Sequence, residues 1–222
     1  MTVHMKREID KVKSKLLTLC AEVEKDLCLA VQSIKDRDME LARNIIDQDV
    51  EIDQMEVDLE EECLKILALY QPVAIDLRFI ITALKINNDL ERIGDLAVNI
   101  AERAEFLAGQ KPVDVPFDFD AMADKTQSML SQSLDALVDM DCNLAYQVCA
   151  ADDEVDAINR QMYDQVKQSI RNNPEQVDSL IHLLSVSRHL ERVADHATNI
   201  AEDVIYMVEG KIVRHKAEKY KS

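Results

Sequence analysis

The feature that most narrows what this 222-residue chain can fold into is a repeat. Residues 90–102 read LERIGDLAVNIAE, and residues 190–202, one hundred positions later, read LERVADHATNIAE. Nine of the thirteen residues recur in place. Self-similarity at a fixed period means that one supersecondary unit is used twice. Each copy carries an apolar stripe in steps of three and four: Leu90, Ile93, Ala97, Ile100 and Ala104, then Leu190, Val193, Ala197, Ile200 and Val204. Such steps mark one face of an α-helix. About 100° round each helix runs an acidic stripe, with Glu91, Asp95, Asn99 and Glu102 in one copy and Glu191, Asp195, Asn199 and Glu202 in the other. Carboxylates at i and i+4 repel by roughly 0.2–0.5 kcal/mol when exposed. A chain that accepts this cost twice, beside a core face, invites a cation as the explanation.

The pattern extends to the whole chain. Met5, Ile9, Val12, Leu16, Leu19, Val23, Leu27, Ala30 and Ile34 keep helical spacing and predict a first helix over about residues 5 to 35. Asp36-Arg37-Asp38 interrupts it and offers an N-cap to a second helix, whose inner face is Ile45, Ile52, Met55, Leu59, Ile66 and Leu69. Pro72 is expected in the first turn of a third helix that ends near Gly109. Residues 109–120, GQKPVDVPFDFD, are the richest in Gly and Pro and separate the halves, residues 1–110 from 111–222. The pattern then restarts, with Asp139-Met140-Asp141 answering Asp36-Arg37-Asp38 and Asn172-Asn173-Pro174 answering the break at Pro72. No segment alternates as a strand does. The fold class is therefore all-α, a tandem duplication of a three-helix antiparallel bundle with six long helices.

Composition removes several functions. Twenty-six Lys and Arg against 43 Asp and Glu leave a net charge of −17, which disfavours nucleic acid and a generally anionic membrane as partners. The exception is a basic end, Lys211, Arg214, Lys216, Lys219 and Lys221, which reads either as a solvated terminus or as a docking patch for an acidic partner or lipid headgroups. There is no apolar run of membrane-spanning length, and the charged N-terminus lacks a signal-peptide core, so the expected location is cytoplasmic. Cys20, Cys28, Cys63, Cys142 and Cys149 show no C-x-x-C spacing and fall inside helical patterns, which suits core or boundary residues in a reducing compartment.

The second helix adds Asp49 and Asp53 at i and i+4, and its counterpart, displaced by 103 positions, has Asp152 and Asp156. Fold the second and third helices about Pro72, and Asp49 meets the level of Asp95 and Asp53 that of Glu91, because facing helices rise equally per residue. The second half pairs Asp152 with Asp195 and Asp156 with Glu191 in the same way. Four carboxylates at one height repel unless neutralised, and an oxygen-only donor set suits hard cations such as Mg²⁺, Ca²⁺, Mn²⁺ or oxidised iron, with zinc possible. Arg92 and Arg192 point aside and reach only the rim. His182, His189 and His196 share one face of the sixth helix, but the first half has Thr82, Asp89 and Leu96 there, so they read as boundary residues. No Glu-x-x-His stands in the acidic stripes, and no Gly-rich phosphate loop or nucleophile motif occurs, which leaves catalysis without an evident seat.

These residues together resemble the PhoU family. The likeness is carried by the four E/D-x-x-x-D motifs, by QPVAIDLR at 71–78, LKINNDLERIGD at 84–95, RHLERVADHATNIAED at 188–203 and IYMVEGKIVRH at 205–215, and it covers essentially the whole chain. The resemblance implies a homodimer-forming, non-catalytic negative regulator of phosphate-starvation signalling and of high-affinity phosphate uptake. Its implied partners are a sensor histidine kinase and the ATPase subunit of a phosphate ABC transporter, with at most peripheral membrane association through them. It also implies iron, zinc, manganese or magnesium, singly or in clusters, at Asp49, Asp53, Glu91, Asp95, Asp152, Asp156, Glu191 and Asp195. The rival expectations are a metal-dependent phosphoester hydrolase built on the same acids, a metal-free helical scaffold, and an accessory protein of a low-affinity phosphate carrier.

Overall fold

In the computed structural model, residues 3–114 and 118–213 are described; most of the basic end, from Arg214 on, and part of the Pro-rich connection lie outside them. The order is α1 (Val3–Asp36), α2 (Met39–Tyr70), α3 (Ala74–Ala108), α4 (Phe119–Asp139), α5 (Cys142–Asn172), a single 3₁₀ turn (Pro174–Gln176) and α6 (Val177–Glu209). Among the described residues there is no strand. The duplicated all-helical form anticipated from the repeat is thus the fold, and both apolar stripes that define the repeat are buried throughout.

The turns are duplicated too. Arg37 and Met140 both take left-handed backbone, φ 55° and 54°, and the aspartate that follows caps the next helix. Asp38 accepts from the backbone N–H groups of Glu40 and Leu41, and Asp141 from those of Asn143 and Leu144. Each cap satisfies two of the four donors that a helix start leaves free. Pro72 is not in the first turn of α3. It lies buried two residues before Ala74, with left-handed Gln71 (φ 46°) on one side and left-handed Ala74 (φ 49°) on the other. Pro174 does open a helical turn, but a 3₁₀ one that precedes α6.

Helices α3 and α6 lie at the centre and run antiparallel, since Arg78 bonds the Met207 carbonyl, Asp89 meets His196 and Phe106 stacks on His182. One continuous apolar core runs from Met5 to Ile205 through both halves, with a small satellite of Leu107, Met162, Val166, Leu180 and Leu183. Three cysteines, Cys20, Cys63 and Cys149, are buried, and burial pushes each thiol up to about 12. Cys142 is half-buried, whereas Cys28 is exposed on α1 and is neither core nor boundary.

Candidate functional site

Within each half, the acids are placed by a close approach of two helices. Gly94 stands between Glu91 and Asp95, and Ile52 between Asp49 and Asp53. A Cβ on Gly94 would come within 3.2 Å of the Ile52 side chain. Absence of that Cβ lets α2 and α3 draw together at the level of the carboxylates. The second half reaches the same end with a smaller residue opposite a larger one, Val155 facing the position of Ala194 by repeat equivalence. A cross-helix hydrogen bond fixes the hairpin below: Asn87 donates to both the carbonyl and the side chain of Glu56, and in the copy Ser187 donates to Asn159.

The carboxylates feel one another as the register requires. Burial raises Asp49 above its ordinary value, and Asp53, Asp95 and Asp26 add repulsion. Burial likewise raises Glu91, helped by Asp95, Glu56 and Asp53 and opposed by Arg92. In the second half, burial and then Asp195, Asp156, Asp153 and Glu191 push Asp152 up to about 6. Glu191 and Asp195 are also raised, each by burial first, with Asp156 adding to both. Burial penalises the charged form, and like charges penalise it again. Each half therefore presents four acids on one strip, three of the second strip's members held above their ordinary range.

Two residues join these strips that the repeat did not announce. Asp26 of α1 is 5% exposed, and burial raises its carboxyl in spite of Lys25. It adds a fifth acid to the first strip, where the second half has buried Met129. Asp89 of α3 accepts from His196 at 2.8 Å and from Asn199 at 3.3 Å, across the seam between halves. Together with Lys85, Asn88, Asp152, Asp195, Thr198 and Glu202 it lines an open groove, so the second strip borders the first half.

The three histidines face the same seam. His182 stacks on Phe106 with ring centroids 3.7 Å apart, His189 contacts Ser185, and His196 pairs with Asp89. The burial of His189 and the nearby Arg103, Arg192 and Arg188 pull its imidazole down to about 4, so it is neutral at pH 7. Arg92 and Arg192 are exposed, and each only partly offsets the shift on the adjoining glutamate. The donors suit a hard cation by chemistry: oxygen atoms only, on carboxyls raised by burial and mutual repulsion. Their present rotamers are splayed, and among the described residues no three His, Cys, Asp or Glu side chains converge closely enough to hold a metal ion.

Comparison with known proteins decides the lineage. The family model described as "PhoU domain" matches twice, over residues 5–104 and 119–204. The chain belongs to the PhoU family. Similar proteins include the phosphate-specific transport system accessory protein PhoU homologue of Aquifex aeolicus, 37% identical over 215 residues and covering 97% of each chain. The homologue of Clostridium acetobutylicum is 35% identical over 207 residues, 93% of this chain and 94% of its own. Among solved structures, the crystal structure of PhoU from Pseudomonas aeruginosa superposes with a TM-score of 0.89 at 37% identity, covering 93% of this chain and 99% of that one. The phosphate transport system regulatory protein PhoU of Streptococcus pneumoniae gives a TM-score of 0.81 at 28% identity, covering 94% and 99%. PhoU proteins are thus matched along nearly the whole length, through both copies of the carboxylate strip.

Proposed function

We propose that this protein is an accessory regulator of phosphate-specific transport that acts by contact and not by catalysis. The observation that carries the reading is similarity over more than nine-tenths of the chain to proteins named as accessory and regulatory components of that system. Its partners in this reading are a cytoplasmic sensor histidine kinase domain and the ATPase subunit of the phosphate transporter, and the working form is a homodimer. Among the described residues no helix is long and apolar enough to cross a membrane, which is compatible with action from the cytoplasm through such partners.

The carboxylate strips serve as cation sites in the same reading. Asp49, Asp53, Glu91 and Asp95 hold one ion or cluster, and Asp152, Asp156, Glu191 and Asp195 the other, after the side chains swing inward. Bound cations supply charge neutralisation along strips that otherwise repel. Because several of these acids are held above their ordinary range, binding releases protons.

Deleting the gene in phosphate-rich medium and following a starvation reporter tests the regulatory role. Switching on of the reporter, with silence restored by this gene, is the expected result; a reporter that stays silent in the deletion strain removes the proposal. For the metal, Mn²⁺, Fe³⁺ and Zn²⁺ are titrated into chelator-stripped protein, with melting temperature and released protons followed together. A rise of several degrees, lost when Asp152, Asp156, Glu191 and Asp195 become Ala, is expected. No rise with any ion leaves the strips as solvated faces.

A further inference from the structure

The two hairpin tips of the duplicated fold differ sharply in chemistry. The α5–α6 connection is Asn172-Asn173-Pro174-Glu175-Gln176, polar except for its proline, as solvent-facing turns usually are. The α2–α3 tip instead exposes Leu69 (66%), Val73 (73%) and Ile75 (73%). Its backbone is held left-handed at Gln71 and Ala74, neither a glycine. Strain of this kind persists where the surroundings impose it and often marks a contact surface. Clustered exposed apolar residues likewise mark a docking surface more often than an accident.

Charge indicates what docks there. Lys13 lies over the Phe79 ring and Lys15 pairs with Asp58, which sets α1 in register with its neighbours. At equal rise per residue, Lys6 and Arg7 then stand level with the tip, both exposed, beside Val3 at 85% exposure. Helix α6 finishes at the same end, where Arg78 closes on Gly210. Residues 1–15 carry five Lys and Arg against two acids, and residues 205–222 again five against two, in a chain whose net charge is −17. Asp76, in the first turn of α3, is the nearest acid to the exposed side chains, and Glu62 beneath them is engaged by Lys65 at 3.4 Å. The carboxylate strips lie about 25–35 Å down the helices. That is several times the screening length of about 8 Å at physiological salt, so their charge does not reach the tip.

We infer that the α2–α3 tip, with the basic residues of α1 and of the C-terminal end around it, is a docking surface for an anionic lipid bilayer. Val73, Ile75 and Leu69 enter the headgroup boundary while Lys6, Arg7 and the C-terminal cations neutralise lipid charge, and the acidic body faces away. Two weak signals of this kind give reversible attachment that neither gives alone. The surface does not depend on cation binding at the strips.

Sedimentation of the full chain with vesicles tests it. Vesicles of phosphatidylcholine and phosphatidylglycerol should bind the protein, vesicles of phosphatidylcholine alone should not, and salt should weaken the binding. Val73→Asp with Ile75→Asp should lower partitioning at least tenfold. Lys6→Glu with Arg7→Glu should lower it more than tenfold on the anionic vesicles. Val177→Asp, at the other tip, should leave it unchanged, and unaltered helical circular dichroism and melting certify each variant. Failure of the wild type to bind anionic vesicles overturns the inference, as does equal binding to both lipid mixtures. Binding that survives the tip variants, or that requires a membrane protein in the vesicle, overturns it equally.

Discussion

Replacing Asp152 by Asn should stabilise the chelator-treated protein, and only above a definite pH. Asp152 is pushed from an ordinary 3.8 to about 6 by burial and by Asp195, Asp156, Asp153 and Glu191. A carboxyl raised on folding binds its proton more tightly in the native than in the unfolded chain. Native stability is therefore highest below about 3.8 and falls as pH rises through about 6. A shift near two units corresponds to at most about 3 kcal/mol. Asp152 is only half-buried, so solvent screening reduces this to about 1–1.5 kcal/mol. Asn keeps the volume and never ionises. At pH 8 D152N should then melt roughly 3–5 °C higher than the wild type in EDTA, since 1 kcal/mol moves a domain of this size by about 2–4 °C. At pH 4 the two should coincide. Calorimetry at both values checks it, and a gain as large at pH 4 as at pH 8 refutes the electrostatic account of the strip. With a bound cation the sign reverses, because the mutant loses a donor.

Two other perturbations probe how the strips are held. Gly94→Ala gains about 1 kcal/mol of helix propensity but forces Ile52, 3.2 Å from the new Cβ, to give way, so a net loss of about 1 kcal/mol is expected in urea denaturation. Adding Ile52→Val, which copies the pairing of Val155 with Ala194, should restore or exceed wild-type stability; persistence of the loss would place the constraint elsewhere. Lys85→Met removes the cation that pairs across the seam with Asp203, whose side chain is 2% exposed, and should cost about 3 kcal/mol. A loss below about 0.5 kcal/mol would show that other groups carry Asp203 unaided.

Much of this was legible from residue order because helices convert spacing into height. The repeat fixed the class of fold, the Asp-x-Asp turns identified two N-caps, and equal distances from Pro72 placed Asp49 by Asp95 and Asp53 by Glu91. Pro72 itself was misplaced by two residues, because the turn uses left-handed Gln71 and Ala74, neither of which advertises that backbone. Asp26 was overlooked although a signal existed: it stands three residues after Val23 and four before Ala30, on the face of α1 that packs inward. Asp89 gave no such signal. Its partners, His196 and Asn199, come from the other half, and nothing local in LKINNDL says that two bundles share a seam there. The histidine stripe was placed correctly at a boundary, but which boundary required the packing of α3 on α6.

The copies now differ in ways that bear on how they work. Both keep the four acids, the cap turns and the cross-helix bond at Asn87 or Ser187, which fix the strip. They diverge around it. The first strip gains buried Asp26 from its own bundle, whereas the second opens on a groove whose far wall is Lys85, Asn88 and Asp89 of the other half. Charge on the first strip is thus answered within one bundle, while charge on the second acts directly on the seam. Lys85 lies beside both Asp195 in that groove and buried Asp203, so neutralising Asp152 and Asp195 changes the field at the pair that joins α3 to α6. If the strips take cations, the second is the one whose occupancy can alter how the two bundles are held together, and the first is the one with the larger donor set. Two copies of one unit have in this way become a site and a hinge-facing site, through changes outside the repeated motif.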